Sequence, residues 1–305
     1  MYNDTHLNVL ISYAYMYGQE RFLNYIKEQT CRGTINLMID SGAFTKHNSK
    51  QSMQHVNVAD YCKFLQEWQH YCEKYVMLDV VGNAPQSKLN YQTMLDCGLN
   101  PMFVATMFDK DYEGIRKAVE RNRNICVAGG VTTKSDWMTK RFQDIWKQTN
   151  GKALMHGLGY VTYPKMLQLH LRSVDSSTWK TGAARFGQTF FFSMEDNRTY
   201  MLLQKDIRTG RAKFPLALRR QLAKLEIPAK LYFTEEAHHG ENNVNTFINI
   251  YNSILLQKYC KRYGLEYFMA VGSISDLRRI VYVSENISNI TYTEYLREFG
   301  KEVVA

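Results

Sequence analysis

Short apolar runs alternate with amphipathic stretches of helical period along most of the first two hundred residues. Strands joined through helices run parallel to one another, with right-handed crossovers. The runs predicted as strands are residues 7–14, 35–39, 75–80, 102–107, 125–128, 153–156, 171–175 and 189–192. Eight strands of this kind within about 190 residues predict an α/β protein of the (β/α)8, or TIM-barrel, class.

Three of the connecting stretches carry a clear helical face. Residues 58–72 and 111–121 place apolar side chains three and four residues apart, and Met138, Phe142 and Ile145 do the same farther along the chain. The alternative arrangement is an open, doubly wound sheet. Its dinucleotide-binding version requires a G-x-G-x-x-G after the first strand, and none occurs there, which favours the barrel.

Positive charge is concentrated after the eighth predicted strand. The chain has 38 Lys and Arg against 29 Asp and Glu, a net charge of +9, and residues 205–230 hold eight basic and two acidic side chains. That local net of +6 favours phosphate binding over an ordinary solvated helix face. We interpret residues 1–305 as a single barrel domain with a basic nucleic-acid-binding insertion at 194–245, followed by C-terminal helices.

Several classes of protein are disfavoured by the sequence. No Lys or Arg precedes the short apolar run at residues 7–11, so a secretory signal is not predicted and we expect a cytoplasmic protein. No run approaches the roughly 18 apolar residues that span a bilayer, so no membrane partner is expected. The six cysteines form no Cys-x-x-Cys pair, which indicates neither a zinc site nor a small disulfide framework, and no cofactor is predicted.

Carboxylates follow three of the predicted strands. Asp40, Asp79 and Asp175 each end or directly follow an apolar run. Catalytic side chains of (β/α)8 enzymes lie at the carboxyl ends of the strands, so these three are candidates for one site. Each aspartate alone could instead cap a helix or fix a turn. Three together, beside small residues, favour a shared chemical role.

Other strand ends carry glycine and histidine. Gly129 and Gly130 follow the fifth strand, and His156 and Gly157 end the sixth. Glycine lets a backbone approach a ligand closely, although a tight turn would need it equally. His156 is a candidate to touch a substrate, with a buried structural histidine as the alternative. Phe44, near the second strand end, is a candidate to stack on a flat ligand.

Five segments, in order, resemble those of a known enzyme family. They are Asp-Ser-Gly-Ala-Phe (40–44), Met-Leu-Asp (77–79), Ala-Gly-Gly (128–130), His-Gly-Leu-Gly (156–159) and Ser-Val-Asp-Ser-Ser-Thr-Trp (173–179), the last followed by Gly-Ala-Ala-Arg-Phe-Gly (182–187). Over roughly residues 7–192 they resemble the tRNA-guanine transglycosylase superfamily, most closely its phage and bacterial 7-deazaguanine DNA transglycosylases. That family has a (β/α)8 fold and exchanges guanine for a 7-deazaguanine base without cutting the backbone.

The resemblance implies a role for each matching residue. Asp175 matches the nucleophile, Asp40 the general acid/base and Asp79 the aspartate that reads the guanine-like edge, while Gly129 and Gly130 match the backbone that contacts the C7 substituent. Ser41, Phe44, His156 and Gly157 are expected to line the same base-binding site. Ala43 replaces a family glycine, a small departure.

The larger departure concerns zinc and the nucleic-acid substrate. The tRNA-acting enzymes carry a late Cys-x-Cys-x-x-Cys with a histidine, whereas Cys260 is the one cysteine in the last third of this chain. The resemblance therefore favours the DNA-acting branch, with duplex DNA, a flipped guanine and a free 7-deazaguanine base such as preQ0 as partners. If the protein is phage-encoded, its compartment is the host cytoplasm. Basic side chains expected to contact phosphates are Arg185, Arg208, Arg211, Lys213, Arg219, Arg220 and Lys224.

Three alternatives to DNA base exchange stay open. The chain could be a tRNA-guanine transglycosylase, or a barrel enzyme that binds the phosphate of a small metabolite through residues 182–187. It could also be a nucleic-acid-binding protein without chemistry. Three strand-end carboxylates argue against that last reading, because acids in a binding pocket repel phosphate.

Overall fold

The computed structural model describes residues 6–49, 53–106, 110–129, 135–233 and 244–300, without the side chains of 135 and 183–186. Within these ranges, the strands are β1 (Leu7–Ser12), β2 (Ile35–Asp40), β3 (Lys74–Tyr75), β4 (Phe103–Ala105), β5 (Asn124–Val127), β6 (Leu154–Gly157), β7 (Leu171–Ser176), β8 (Gln188–Ser193), β9 (Arg198–Leu203) and β10 (Glu266–Val271).

The helices within the same ranges follow the predicted alternation with strands. They are α1 (Tyr13–Met16), α2 (Glu20–Cys31), α3 (Ala43–Asn48), α4 (Val58–Trp68), α5 (Ala84–Asp96), α6 (Tyr112–Arg121), α7 (Ser135–Gln148), α8 (Thr178–Phe186), α9 (Gln204–Arg208), α10 (Leu216–Lys224), α11 (Ala229–Tyr232), α12 (Val244–Lys261), α13 (Ile274–Glu285) and α14 (Tyr292–Phe299). The helical faces predicted from residues 58–72, 111–121 and 138–145 correspond to α4, α6 and α7.

The chain divides into two compact units. The first comprises Met1–Ser176 and Tyr263–Ile274, and the second comprises Ser177–Arg262 and Ser275–Ala305. Where the sequence predicts one domain with an insertion at 194–245, the structure has a longer excursion, which leaves the first unit immediately after β7 and returns just before β10.

The first unit is a barrel of eight parallel strands. Their order is β3-β2-β1-β10-β7-β6-β5-β4, and a parallel bridge between Val76 and Met102 joins the two ends of this series. The strands are buried on nearly every residue, as expected where helices cover the outside and side chains fill the inside. The predicted (β/α)8 fold is therefore confirmed, and its parallel strands bring all their carboxyl ends to one face.

The eighth barrel strand is not the predicted one. Residues 189–192 lie in β8, which pairs antiparallel with β9 in the second unit, and β10 fills the eighth barrel position between β1 and β7. The apolar run at residues 189–192 predicts a barrel strand. In the structure it is buried by α12 and α8 instead.

Asparagines of α12 bind the backbone of β8 in the second unit. Asn249 accepts a hydrogen bond from the Phe190 N–H (2.6 Å), and Asn252 accepts one from the Phe192 N–H (3.1 Å). These amides take the place of a third strand beside the β8–β9 hairpin. They account for two of the three asparagines in a helix that is buried on almost every residue. The third, Asn245, accepts hydrogen bonds from the Thr189 hydroxyl (2.9 Å) and the Gln204 amide (2.8 Å).

Two helices follow the last barrel strand, as the sequence predicted for the C-terminal region. Residue Thr291 begins α14 with a capping box, in which its hydroxyl accepts the Glu294 N–H and the Glu294 carboxylate accepts the Thr291 N–H. Across the described residues, no helix combines the length and apolar character needed to cross a membrane.

Candidate active site

Asp40 ends β2 and is held by the turn that follows it. The Gly42 N–H donates to Asp40 Oδ2 at 3.0 Å. Gly42 has a φ of +83°, and a Cβ there would lie 2.7 Å from that of Ala14, so the turn admits glycine alone. The retained glycine of the 40–44 segment thus fixes the direction of the carboxyl group. Burial, followed by the charge of Asp175, raises the pKa of Asp40.

Asp79 follows β3 at the same face of the barrel. Burial and then the charge of Asp40 raise the pKa of Asp79 to about 6. Just beyond it, the Val80 N–H donates to the Ser87 hydroxyl (2.8 Å), and the Asn83 side chain caps α5 by accepting from the Gln86 N–H (3.1 Å). Asn83, rather than Asp79, therefore caps helix α5.

Asp175 lies on β7, and one of its carboxylate oxygens has two hydrogen-bond partners. Its Oδ1 accepts hydrogen bonds from the Gly159 N–H (2.8 Å) and from His156 Nε2 (3.1 Å). The residue is 7% exposed. A φ of +63° at Gly159 turns that N–H toward the carboxylate, in a conformation that glycine adopts without strain.

The three aspartates are close enough to act on one another electrostatically. The charge of Asp175 raises the pKa of Asp40, and that of Asp40 raises the pKa of Asp79. Burial, followed by the charges of all three, also raises the thiol pKa of Cys126 on β5 well above its ordinary value. Among the described residues no lysine or arginine forms an ion pair with any of these aspartates. At Asp40, burial beside a like charge favours the protonated carboxyl group, which can act as an acid.

His156 is the buried structural histidine that the sequence offered as the alternative to a substrate contact. It is fully buried on β6, with Nδ1 at 2.8 Å from the Ser173 hydroxyl and Nε2 on Asp175. Both ring nitrogens are used within the protein, so the expected contact between His156 and a substrate is corrected to a contact with Asp175.

Two further residues of the predicted base site make contacts within the protein instead. Ser41 is buried, and its hydroxyl accepts the Ala43 N–H at 3.4 Å, at the start of α3. Gly157 is buried, and a Cβ there would meet Tyr160 and Phe142. Glycine there leaves room for the side chains of Tyr160 and Phe142, which is a packing role rather than the predicted contact with a ligand.

The remaining predicted base contacts are open to solvent or lie outside the described residues. The ring of Phe44, on α3, is 51% exposed and free to stack on a ligand. Gly129 has a φ of +121°, a region for glycine, and Gly130 lies outside the described residues. Both stay predictions as contacts of a C7 substituent.

The predicted phosphate-binding residues lie in the second unit. All but Arg185, whose side chain lies outside the description, are exposed: Arg208, Arg211, Lys213, Arg219, Arg220 and Lys224. On and beside α10, Arg219 lies over the Phe214 ring (4.8 Å), Arg220 pairs with Glu195 (3.2 Å) and Lys224 donates to the Tyr251 hydroxyl (3.2 Å). These contacts orient the basic groups without burying them.

Sequence reasoning missed Ser173 and the backbone of Gly159. Ser173 stands two residues before Asp175 on one strand, so alternation places both side chains on one face, a signal present in the sequence. The N–H of Gly159 leaves no comparable trace. No group of three or more His, Cys, Asp or Glu suited to hold a metal ion occurs in the described ranges.

Comparisons with known proteins place no family name on this chain. No protein-family model matches the sequence, and no curated protein shows significant similarity to it. Among solved structures, it is similar to a truncated form of 3-deoxy-D-arabino-heptulosonate 7-phosphate synthase from Thermotoga maritima, with 11% identity and a TM-score of 0.38 over 98% of this chain and 87% of that one. A likeness this distant carries no argument about function, and the fold assignment follows from the strand order itself.

Proposed function

We propose that the protein is a transglycosylase that replaces guanine in DNA by a 7-deazaguanine derivative such as preQ0, through a covalent aspartyl intermediate. The observation that carries the proposal is the convergence of Asp40, Asp79 and Asp175 at one face of the barrel, in three different environments. The five segments that resemble the tRNA-guanine transglycosylase superfamily supply these same three aspartates.

The chemistry requires one nucleophile and one proton carrier. A carboxylate oxygen of Asp175 attacks C1′ of the flipped nucleotide, and the bond from C1′ to the guanine breaks with its electron pair on the base. Asp40, whose raised pKa favours the protonated form, gives the departing guanine its proton. The incoming base then gives its proton to Asp40 and attacks C1′, which releases Asp175.

Asp79 would recognise the guanine-like ring. As a carboxylate it would accept hydrogen bonds from the ring N–H and the exocyclic amine. Its pKa of about 6 leaves it largely ionised at neutral pH. Burial, followed by the charge of Asp175, raises the pKa of Asp40, which suits a group that gives and takes back a proton.

The metabolite alternative loses support from the local structure. Its phosphate would bind in residues 182–187, but most of that segment lies within helix α8, where backbone N–H groups are used by helical hydrogen bonds. A second candidate function is base exchange in tRNA, which differs from the first in its nucleic-acid substrate only. The same experiment distinguishes the two.

The test is base exchange by the purified protein, with guanine-containing duplex DNA or tRNA and free preQ0, read by mass spectrometry of the nucleosides. We expect exchange into DNA, loss of at least about a thousandfold in Asp175→Asn, and little change in the control Asp136→Asn, an exposed carboxylate paired with Lys165. Full exchange by Asp175→Asn would overturn the nucleophile. Exchange into tRNA alone would replace the substrate, and exchange into neither would refute the proposal.

A further inference from the structure

The pairing of β6 with β7 is irregular beside Asp175. The register shifts after Met155, so that Arg172 is an extra residue on β7 and His156 stands opposite Ser173. A bulge of this kind changes the face to which the following side chains point. Beyond it, Ser173 and Asp175 are both buried and both contact His156, while the side chain of Arg172 is exposed.

The two oxygens of Asp175 have different surroundings. Oδ1 accepts from the Gly159 N–H and from His156 Nε2. No hydrogen bond from a described residue reaches Oδ2. Because Oδ2 is not one of the buried polar atoms that lack a partner, it keeps some exposed surface. The side chain keeps 11% of its surface exposed, and Oδ2 is the oxygen that no hydrogen bond from a described residue holds.

The direction of the His156 hydrogen bond follows from the chemistry of a carboxylate. An ionised carboxylate accepts hydrogen bonds and has none to give, so Nε2 carries the proton that joins His156 to Asp175. The Ser173 hydroxyl holds Nδ1 at 2.8 Å, and the Phe268 ring packs nearly perpendicular to the imidazole, with ring centroids 6.0 Å apart. The imidazole is therefore fixed from both sides, with no exposed surface.

We propose that His156 is a positioning residue that fixes Oδ1 of Asp175, together with the Gly159 N–H, and thereby makes Oδ2 the atom that bonds to C1′. This inference rests on the proposed base exchange. The two donors do not take a proton in the reaction. They stop the carboxylate from rotating, so that Oδ2 approaches C1′ from one fixed direction. The carboxylate keeps the same orientation when the C1′–Oδ2 bond breaks.

The experiment compares two substitutions of His156 that differ in one donor. In His156→Gln the amide N–H can take the place of Nε2–H, whereas His156→Leu fills the space without a donor. Single-turnover formation of the DNA–protein adduct, trapped by denaturation, is measured beside calorimetric binding of free preQ0. We expect adduct formation to fall about a hundredfold in His156→Leu and to recover to within about tenfold of the parent in His156→Gln, with base affinity unchanged within about twofold.

Several outcomes would overturn the positioning role. The role is refuted if a folded His156→Leu protein forms the adduct at the parent rate. It is also refuted if His156→Gln forms the adduct no faster than His156→Leu. A readout without activity is ¹⁵N NMR of the imidazole in the parent protein, which should show Nε2 protonated. An unprotonated Nε2 refutes the contact even if no base exchange is found, so failure of this inference is distinguishable from failure of the proposed function.

Discussion

Burial and hydrogen bonding give three chemically identical side chains at the mouth of the barrel different surroundings. Asp175 receives two N–H donors, whereas Asp40 receives one from Gly42 and is buried beside a like charge. Burial and then the charge of Asp40 raise the pKa of Asp79 to about 6. A site that holds three acids together without a basic partner among the described residues stores unfavourable free energy, and that free energy can be measured as pH-dependent stability.

Replacing Asp79 by Asn should stabilise the protein above neutral pH. Its pKa of about 6 when folded exceeds the ordinary 3.8, so the folded state binds the proton more tightly, and the free energy of unfolding falls as pH rises from about 4 to about 6. A shift of about two units corresponds to at most about 3 kcal/mol. Urea unfolding at pH 8 should show Asp79→Asn more stable by up to that amount, with little difference at pH 3.5.

The matched control is Glu120→Gln, which removes an exposed carboxylate from α6 in the same unit. Its stability difference from the parent should be small and should not follow this pH window. If Asp79→Asn is less stable than the parent at pH 8, or if the difference is equal at both pH values, the carboxyl group is not strained as described.

Among the elements, β8 and α12 show how polar side chains can replace strand pairing. Asn249 is fully buried, accepts the Phe190 N–H, and donates to the carbonyls of Trp179 and Gln188 at 3.1 Å each. One side chain thus satisfies three backbone groups on two elements. Without it, these groups would be buried and unpaired.

Asn249→Ala should therefore destabilise the second unit strongly. Unpaired buried groups cost about 1–3 kcal/mol each, and we expect a loss of about 3 kcal/mol or more in the free energy of unfolding. Denaturant unfolding read by circular dichroism measures it. The control Asn286→Ala removes an exposed asparagine that bonds the Tyr282 carbonyl and should cost under about 1 kcal/mol. Equal losses in the two variants would show that the bonds of Asn249 contribute nothing special.

The same elements show why the barrel was predicted correctly although its last strand was not. Strand–helix alternation indicates the fold because it depends on local periodicity. The choice between 189–192 and β10 as the eighth strand depends on what covers each run, and both runs are apolar. In the same way, Asp40 and Asp175 were found as strand-end acids, but the contact of His156 with Asp175 depends on a register shift that leaves no pattern in the sequence.

At the scale of the whole molecule, the chain assigns acids and bases to different units. The three aspartates belong to the barrel, and the basic stretch 205–230 belongs to the unit that begins one residue after β7. All eight of its Lys and Arg side chains are exposed. We propose that this stretch binds the DNA backbone. This would explain how one protein can attract phosphates although its proposed active site contains three aspartates.

Replacing Arg219, Arg220 and Lys224 by Ala should weaken DNA binding and flatten its dependence on salt. Each phosphate contact contributes about 0.9 to the slope of log K against log salt concentration for duplex DNA, so three lost contacts lower the slope by about 2 to 3. Binding of free preQ0 should be unchanged. Fluorescence anisotropy with labelled duplex, at several salt concentrations, gives the slope.

The control for that triple variant makes the same change in net charge, but at residues of the barrel. Lys63, Lys117 and Lys140 are exposed on α4, α6 and α7, so their joint replacement by Ala also removes three positive charges. If attraction depended on net charge alone, both variants would lose affinity equally. Specific contact by the basic stretch requires the slope to fall in the first variant and to stay near the parent value in the second, and an unchanged slope in the first would refute the assignment.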